Sequence, residues 1–282
     1  MKIGWIGAGI MGSPMVEHLL EHQHEVHVFA RHPEKIQDLK EKGVLVEDSI
    51  KSLVQHSDVI CTMVGFPSDV KEVYKKIFDV IEPGKTCIDF TTSSPDLAIE
   101  LHEKALKRHV IMMDAPVTGG DVGAKNGTLT ILVGSEPQEF EDMREIFSCF
   151  GTHIHYCGPA GSGQKVKIAN QIMIANTLQG ICEAMQYLQS QDMSSQSIID
   201  CLKNGAAGSK QLDLQGEKMI HEDYAPGFYV KHFVKDLKIA TEHISLAGVR
   251  QVLREYNQLI SEGMSNSGTQ CLIEYFRNKD LS

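Results

Sequence analysis

Three polar residues a little past the middle of the chain have the types and spacing of a proton-transfer site. Lys167, Asn170 and Gln171 lie at i, i+3 and i+4 in the stretch GSGQKVKIANQ, residues 161–171. In a helix this spacing puts all three side chains on one face. An ammonium group beside two amides can hold a carbonyl or hydroxyl oxygen and pass it a proton. A solvated polar face at a helix start fits the same spacing, and spacing alone favours that interpretation.

The first residues of the chain have the pattern of a dinucleotide-binding loop. An apolar run at 2–6 is followed by GAGIMG, in which Gly7, Gly9 and Gly12 match GxGxxG. Gly7 allows a tight turn, Gly9 lets a pyrophosphate approach the backbone, and Gly12 lets the next helix pack closely. A helix expected at 11–21 would direct its first N–H groups toward the phosphates. The pattern lies between two strand signals, which favours a nucleotide site over a structural turn. The predicted contacts are Gly7, Ala8, Gly9, Ile10, Met11 and Gly12.

The end of the second predicted strand indicates which dinucleotide is preferred. An NAD enzyme usually carries Asp or Glu about 20 residues beyond the glycine loop to bind the ribose 2′-hydroxyl. Here the strand ends in FARH, residues 29–32, so the acid is missing and a guanidinium lies near its place. A guanidinium matches a 2′-phosphate in charge and fork geometry. The sequence therefore favours NADP over NAD, with Arg31 and His32 as contacts; a surface arginine in a turn before Pro33 is the alternative.

A second glycine-rich segment, DAPVTGG at 114–120, is a candidate anion site. Thr118 offers a hydroxyl, and Gly119 and Gly120 offer backbone N–H groups that no side chain obstructs. A carboxylate bound there would be hydrogen-bonded without meeting a full positive charge. An ordinary Gly-Gly turn leading into the next strand explains the segment equally well.

Alternating strand and helix patterns over the first half predict the fold that positions these residues. We expect strands at 2–6, 25–29, 44–46, 58–64, 86–90, 129–133 and 153–156, and one that ends at Met113. Helices are expected at 11–21, 34–42, 50–56, 68–81, 95–107 and 137–150, with Ser68 as a cap. Such alternation predicts an α/β fold with a doubly wound parallel sheet, whose ligands lie beyond the carboxyl ends of the strands.

The strand signal disappears from about residue 163 onward. Helices are expected at 163–190, 195–203, 209–220, 230–247, 249–262 and 268–277. We therefore predict two domains, a dinucleotide-binding Rossmann domain at 1–162 and an all-helical domain for substrate and subunit contacts at 163–282.

Composition excludes several classes of function. The net charge of −10 argues against a general nucleic-acid partner, and the apolar stretch at 168–185 is too interrupted by polar residues for a membrane span. The seven cysteines form no CxxC pair and are expected to be reduced thiols. The thirteen histidines form no HExxH-type pair, so no metal site is expected. With a strand signal directly at its start, the chain is expected to be cytoplasmic.

Four stretches in this order, GWIGAGIMGSPM, DAPVTGG, GSGQKVKIANQ and VKDLKIA, resemble the β-hydroxyacid dehydrogenase family. This family includes 3-hydroxyisobutyrate dehydrogenase, tartronate semialdehyde reductase and glyoxylate/succinic semialdehyde reductase. The resemblance covers nearly the whole chain. It implies an N-terminal Rossmann domain, a long interdomain helix and a helical C-terminal domain through which homodimers or homotetramers form.

The resemblance also implies roles for individual residues. Lys167 matches the catalytic lysine, and Lys235 matches a lysine near the nicotinamide. Gln171 stands where many members have Asn, and Asn170 precedes it, so either amide is a candidate for the substrate contact. Further matches to cofactor contacts are Arg31, Met63, Val64 and Thr92. Matches to the substrate-carboxylate site are Thr118, Gly119 and Gly120, with Thr where Ser is commoner.

The activity expected from these residues is hydride transfer between a nicotinamide dinucleotide and a small hydroxy acid or semialdehyde acid. Lys167 is the expected general acid–base, with its pKa lowered by burial and by Lys235. Alternatives within the family are a tartronate, glyoxylate or succinic semialdehyde reductase. A 6-phosphogluconate dehydrogenase and an imine reductase are rivals that fit the residues around Lys167 less well. A non-catalytic dinucleotide-binding sensor is the alternative of another class.

Overall fold

The computed structural model describes residues 1–277, and the chain divides into two compact units, Met1–Lys167 and Ile168–Ser282, named here the α/β unit and the helical unit. Within the described residues the strands are β1 (Lys2–Ile6), β2 (Glu25–Phe29), β3 (Leu45–Val46), β4 (Val59–Thr62), β5 (Thr86–Asp89), β6 (Ile111–Asp114), β7 (Val117–Thr118), β8 (Leu129–Gly134) and β9 (Gly151–Gly158). The helices up to β9 are α1 (Gly12–Glu21), α2 (Gln37–Glu41), α3 (Ile50–His56), α4 (Pro67–Phe78), α5 (Pro95–Leu106), α6 (Gly120–Lys125), α7 (Pro137–Asp142) and α8 (Arg144–Ser148). The later helices are α9 (Ser162–Ser190), α10 (Gln196–Leu202), α11 (Lys210–Ile220), α12 (Val230–Ala240), α13 (Ala247–Ser261) and α14 (Leu272–Arg277).

Six parallel strands form the nucleotide-binding half of the sheet, in the order β3-β2-β1-β4-β5-β6. This order reverses between β1 and β4, whose residues pair in parallel register from Ile3 with Val59 to Ile6 with Thr62. Ligands of such sheets bind in the crevice at that reversal, outside the carboxyl ends of the strands. The predicted Rossmann fold class, followed by a long helix and a helical C-terminal part, is confirmed.

The far side of the sheet differs from the expected all-parallel arrangement. There β8 runs antiparallel to both β6 and β7, and β9 pairs in parallel with β8. The cause is the short connection after β6, because parallel neighbours need a crossover of about a dozen residues. Only two residues separate β6 from β7, and the short helix α6 returns the chain to β8.

Two predicted helices are interrupted in the structure. The helix expected at 34–42 is divided in two. A 3-10 helix covers Pro33–Ile36, and the α-helix α2 begins only at Gln37. The helix expected at 137–150 is broken into α7 and α8 at Met143, whose φ of −101° and ψ of 3° are not helical. The expected extents were therefore too long, because apolar spacing does not reveal a single non-helical residue.

Two helix ends also differ from expectation. Ser68 is not the cap of α4, because Pro67 occupies the first helical position and Phe66 precedes it. The Asp69 carboxylate accepts a hydrogen bond from the Phe66 N–H at 3.1 Å, which satisfies the start of the helix instead. Helix α12 ends at Ala240 rather than near 247, as its last turn tightens into i→i+3 bonds.

The two faces of the parallel sheet carry separate apolar cores, as alternate residues of each strand point to opposite sides. Trp5 of β1 is fully buried in one core and stacks on Phe90 with ring centroids 5.6 Å apart. Its neighbour Ile6 belongs to the opposite core, under α3 and α4. Burial on both faces fixes the strand register and so the position of every strand end.

The helical unit has its own core, in which Phe233 of α12 meets Tyr256 of α13 edge-to-face with centroids 5.5 Å apart. The Tyr256 hydroxyl donates to the Thr269 carbonyl at 2.6 Å. Among residues 1–277, none of the helices has the length and apolar character needed to cross a membrane.

Candidate active site

The glycine loop after β1 is shaped by close backbone packing at two of its three glycines. Gly7 has φ +101°, and a Cβ there would lie 2.1 Å from the Met63 carbonyl oxygen. A Cβ on Gly12 would lie 2.0 Å from the Gly7 carbonyl oxygen. A Cβ on Gly9, by contrast, would meet no atom within 4 Å. The residues therefore fit a pyrophosphate, because the open surface at Gly9 adjoins the start of α1, where helix N–H groups favour an anion.

Polar side chains hold the ends of β4 and β5 beside this loop. The Met63 N–H donates to the Ile6 carbonyl at 2.9 Å, and the Val64 N–H donates to the Thr91 hydroxyl at 2.9 Å. Asp89 Oδ1 in turn accepts from the Thr91 N–H at 3.1 Å. The predicted contacts Met63 and Val64 thus follow the end of β4 beside Gly7, and the predicted contact Thr92 follows the end of the adjacent strand β5.

Asp89 is a buried acid that the sequence reasoning did not single out. Its side chain also accepts from the Thr62 hydroxyl at 2.8 Å, and Thr62 lies 3.1 Å from the Tyr74 hydroxyl. Burial raises the pKa of Asp89 to about 6, although the hydrogen bonds from Thr91 and Thr62 oppose that rise. The Asp89 carboxylate thus links Thr62 at the end of β4 to Thr91 just after β5.

Arg31 and His32 lie on the surface just after β2. His32 Nδ1 lies 3.3 Å from Glu34 Oε1, with both side chains about two-thirds exposed. Within the described part of the chain, Arg31 is exposed and has no hydrogen bond or ion pair. A guanidinium in that state can turn toward an anion at the end of β2.

The segment DAPVTGG forms the edge strand β7 and the turn into α6. Thr118 is half-buried and pairs with Thr130 of β8, whereas Gly119 and Gly120 are exposed. Both glycines have positive φ, +132° and +65°. No atom lies within 4 Å of a Cβ built on Gly120, so its backbone is accessible. The geometry leaves the predicted anion site and a Gly-Gly turn equally compatible with these positions.

The first residue of that segment, Asp114, anchors the start of helix α9. Its two carboxylate oxygens accept from the Gly161 N–H at 2.6 Å and the Gln164 N–H at 2.8 Å. Burial raises the pKa of Asp114 to about 6, against the opposing effect of those two backbone hydrogen bonds. The carboxylate thus satisfies two N–H groups that a helix start leaves without partners.

Gln164 ties the same helix turn to the carboxyl end of β5. It is fully buried, its Nε2 donates to the Thr91 carbonyl at 2.7 Å, and its Oε1 accepts from the Ser93 N–H at 2.8 Å. Lys167 follows three residues later in α9 and is only 6% exposed. The turn that carries Lys167 is therefore fixed to the ends of strands β5 and β6 through Gln164 and Asp114.

The helical unit brings four polar side chains together. Gln171, 1% exposed, donates through Nε2 to Asp236 Oδ2 at 2.6 Å, and its Oε1 accepts from Asn170 Nδ2 at 2.8 Å. Lys235 Nζ lies 2.9 Å from the other oxygen of Asp236, which is itself fully buried. Asn170 therefore contacts Gln171 directly, whereas Lys235 is linked to it only through Asp236.

The sequence analysis gave no role to Asp89, Asp114, Gln164 or Asp236. Asp89 and Asp114 each end a buried parallel strand, β5 and β6. An acid directly at such a strand end is the signal that was available. Gln164 has no comparable signal, because its partners are backbone groups far away in the sequence.

Comparisons with known proteins agree with this architecture. A family model described as the NAD binding domain of 6-phosphogluconate dehydrogenase matches residues 2–158. A second, described as NAD-binding of NADP-dependent 3-hydroxyisobutyrate dehydrogenase, matches residues 161–271. Together the two models span most of the chain.

Individual relatives match over nearly their full length. An uncharacterised oxidoreductase of Bacillus subtilis (strain 168) is 44% identical over 278 residues, with 96% of each chain covered. The 2-hydroxy-3-oxopropionate reductase of Escherichia coli (strain K12) is 33% identical over 250 residues, covering 86% of this chain and 84% of that protein. The solved structure of Mycobacterium tuberculosis 3-hydroxyisobutyrate dehydrogenase with L-serine superimposes with a TM-score of 0.90 at 25% identity, covering 98% of this chain and 99% of that one. The chain therefore belongs to the β-hydroxyacid dehydrogenase family, the NAD(P)-dependent oxidoreductases that act on the CH–OH group of hydroxy acids.

Proposed function

We propose that the protein interconverts a small hydroxy acid and its semialdehyde acid, with NADP as the preferred cofactor and Lys167 as the general acid–base. The observation that supports this most is the burial of Lys167 one helical turn beyond Gln164, which is bonded to the end of β5. Two relatives are named for small acids whose carbonyl or hydroxyl group is on carbon 3, 2-hydroxy-3-oxopropionate and 3-hydroxyisobutyrate.

The proposed chemistry of Lys167 follows from the properties of an ammonium group. The bound nicotinamide supplies or accepts the hydride. In the reductive direction the Lys167 ammonium donates a hydrogen bond to the substrate carbonyl oxygen, stabilises the negative charge that develops there, and transfers its proton. In the oxidative direction the neutral amine of Lys167 accepts the hydroxyl proton. Asn170 and Gln171 are proposed to orient that oxygen through their amides.

The substrate carboxylate is proposed to bind at Thr118, Gly119 and Gly120. The exposed backbone of the two glycines and the threonine hydroxyl provide hydrogen-bond donors without a side chain that blocks access. A carboxylate held there would fix which carbon meets the nicotinamide. Lys235, paired with Asp236 at 2.9 Å, is proposed as a cofactor contact near the nicotinamide.

The preference for NADP rests on Arg31. Its exposed guanidinium follows β2, where NAD enzymes carry an acid that binds the ribose 2′-hydroxyl. His32, which also follows β2, is proposed to contribute to the same phosphate site. The remaining nucleotide contacts are proposed for Gly7, Ala8, Gly9, Ile10, Met11, Gly12, Met63, Val64 and Thr92.

A second candidate substrate is 2-hydroxy-3-oxopropionate, which is tartronate semialdehyde. It is favoured by the 33% identity to the Escherichia coli reductase of that compound. Glyoxylate and succinic semialdehyde belong to the same chemical class, because each carries a carboxylate and a reducible carbonyl. All of them need the same carboxylate site and the same proton donor.

The experiment that tests this proposal is a steady-state panel with both cofactors. It covers 3-hydroxyisobutyrate, glycerate, 4-hydroxybutyrate, glycolate and their carbonyl partners, and it includes the amide and methyl ester of the best acid. We expect turnover of an acid with NADP, poor turnover of the neutral forms, and loss of the NADP preference in Arg31→Ala. Equal turnover of the acid and its amide would show that Thr118, Gly119 and Gly120 do not bind a substrate carboxylate. Cofactor binding without turnover of any compound would favour a dinucleotide-binding sensor.

We also propose that the helical unit forms a homodimer or homotetramer in a reducing, cytoplasmic location. Met173 and Tyr187 of α9 are 72% and 64% exposed, and Gly180 lies between them at the same heptad spacing, so they form an apolar stripe. All seven cysteines are free, as a reducing compartment requires. Sedimentation of wild type and Met173→Glu would show whether that stripe joins subunits.

A further inference from the structure

Three side chains far apart in the sequence meet at the β3 edge of the sheet, away from the glycine loop. His27 lies in the middle of β2, Glu47 directly follows β3, and His56 is the last residue of α3. Parallel pairing of β2 with β3 sets His27 opposite Leu45, and the Glu47 N–H donates to the Val28 carbonyl at 2.9 Å. The topology therefore fixes Glu47 beside His27. His56, at the end of α3, contacts the same Glu47 carboxylate.

The two imidazole rings converge on a single oxygen of the Glu47 carboxylate. His27 Nδ1 lies 2.7 Å from Glu47 Oε1, and His56 Nδ1 lies 2.8 Å from the same atom. All three candidate ligand atoms lie within 4.8 Å of one another. Two imidazole nitrogens and one carboxylate oxygen are a donor set that binds Zn²⁺ in proteins.

Each inner member of this cluster is oriented by an outer hydrogen-bond partner. His27 Nε2 lies 3.0 Å from Glu25 Oε1, so Glu25 can accept the N–H and leave Nδ1 with its lone pair. The Ser52 hydroxyl donates to the second oxygen of Glu47. Histidine ligands of metals almost always have such a carboxylate on the other nitrogen, and ligating carboxylates are themselves hydrogen-bonded.

The proton on His27 decides what its Nδ1 can offer. In the tautomer whose Nε2–H is donated to Glu25, His27 Nδ1 presents a lone pair toward Glu47 Oε1, 2.7 Å away. A cation bound by both atoms would then offset the negative charge of the carboxylate and use that lone pair. The same cation would also satisfy His56, which shares the Glu47 oxygen.

The cluster is buried at its base and open at its top. The His27 and Glu47 side chains are 7% and 9% exposed, whereas His56 is 57% exposed. A metal ion therefore has an access path from solvent, and a water can complete the coordination on that side. Tetrahedral ligands about 2.0–2.1 Å from an ion lie about 3.3 Å apart, so the His27–Glu47 and His56–Glu47 separations of 2.7 and 2.8 Å would each widen by about half an ångström, through small rotations of the Glu47 carboxylate and of the exposed His56 ring.

We propose that His27, Glu47 and His56 bind a divalent transition-metal ion, with Zn²⁺ as the best match, in a structural site independent of hydride transfer. The ion would connect β2, the residue after β3, and the end of α3. Strand β3 has only two residues, both exposed at the sheet edge, so a clip at this point would stabilise the weakest strand of the nucleotide-binding half.

The test uses full-length protein treated with EDTA and titrated calorimetrically with Zn²⁺ alone. We expect one tight site in wild type, and affinity lower by more than about 100-fold in His56→Ala and in Glu47→Gln. Glu25→Gln, which alters only the outer partner, is expected to weaken binding by about 10- to 100-fold. His153→Ala is the matched control, because His153 is exposed on β9 and distant in the sheet from β2 and β3.

The free cysteines also attract Zn²⁺. Two further measurements therefore identify which side chains bind the ion. Saturating Zn²⁺ should raise the Tm of wild type and of His153→Ala but not of His56→Ala. Co²⁺ bound to wild type should give visible d–d bands without a thiolate charge-transfer band. Equal Zn²⁺ affinity in wild type and His56→Ala, or Co²⁺ d–d bands that persist unchanged in His56→Ala, would overturn the site.

Discussion

Two helix starts in the α/β unit carry the same G-x-G pattern and use it for opposite purposes. In the first, GAG at 7–9, a Cβ on Gly9 would lie in open space. In the second, GSG at 161–163, a Cβ on Gly163 would lie 2.2 Å from the Leu132 carbonyl oxygen. One glycine keeps a surface clear for a ligand, and the other lets the backbone of α9 touch the sheet.

The difference shows that a glycine pattern has no fixed meaning without its surroundings. The start of α9 is closed by protein, since the Asp114 carboxylate occupies the position that an anion would take at a helix N-terminus. The start of α1 has no such carboxylate in the described hydrogen bonds; Ser13 N–H donates to the Gly9 carbonyl at 2.9 Å. Only the first helix start is therefore available to a phosphate.

The largest expected effect is on Gly163. Gly163→Ala places a methyl group against two backbone carbonyls, those of Leu132 at 2.2 Å and Asp114 at 2.9 Å. We expect the free energy of unfolding to fall by about 3 kcal/mol or more, because neither carbonyl can move without disturbing the sheet. Urea denaturation measures it, and an unchanged midpoint would show that α9 is not seated on β8 as described.

The next effect concerns Asp89, the buried acid at the end of β5. The folded-state pKa of Asp89 is raised from 3.8 to about 6, so its stabilising contribution is complete below about pH 3.8 and is lost as pH rises through about 6. Asp89→Asn has no charge to bury. The free energy of unfolding of the variant relative to wild type should therefore rise, by at most about 3 kcal/mol, between about pH 4 and pH 8.

Denaturation of both proteins across that pH range measures the Asp89 effect. The exposed Asp79→Asn is the matched control and should show no such pH-dependent difference. A flat difference for Asp89→Asn would mean that the carboxyl is not desolvated in the folded protein.

The smallest expected effect on stability is at Gly9. There we expect cofactor affinity to change while the free energy of unfolding stays nearly the same. Gly9→Ala should change the free energy of unfolding by less than about 0.5 kcal/mol, because its Cβ meets no protein atom within 4 Å. Cofactor affinity should fall at least about tenfold, because the added methyl group stands where the pyrophosphate approaches. Fluorescence titration with NADPH measures the affinity; unchanged binding would place the phosphates elsewhere.

Much of the fold followed from local sequence pattern. The strands β1 and β2 and the helix α3 begin and end where apolar runs predicted, and the glycine loop lies between β1 and α1 as expected. Each of these features depends on residues within about ten positions of one another, so the local spacing of apolar residues and glycines is enough to predict it.

Features made by distant residues were not predicted. The antiparallel strand β8 depends on how the chain returns after α6, and the anchoring of α9 depends on Asp114, some 50 residues earlier. The histidines of the proposed metal site, His27 and His56, lie on different elements, β2 and α3. No HxxH-like spacing in the sequence therefore predicts the site. The expectation of no metal site rested on that missing spacing alone.

We propose Lys167 as the general acid–base of this NAD(P)-dependent hydroxyacid oxidoreductase. The most direct test compares kcat for Lys167→Ala and Lys165→Ala on the best acid substrate, with cofactor affinity measured in both. Lys165 lies in the same helix but is exposed, so its loss should change kcat little. Lys167→Ala should lower kcat by about 10²- to 10⁴-fold with cofactor affinity retained. A loss of kcat below about tenfold would show that Lys167 is not the general acid–base.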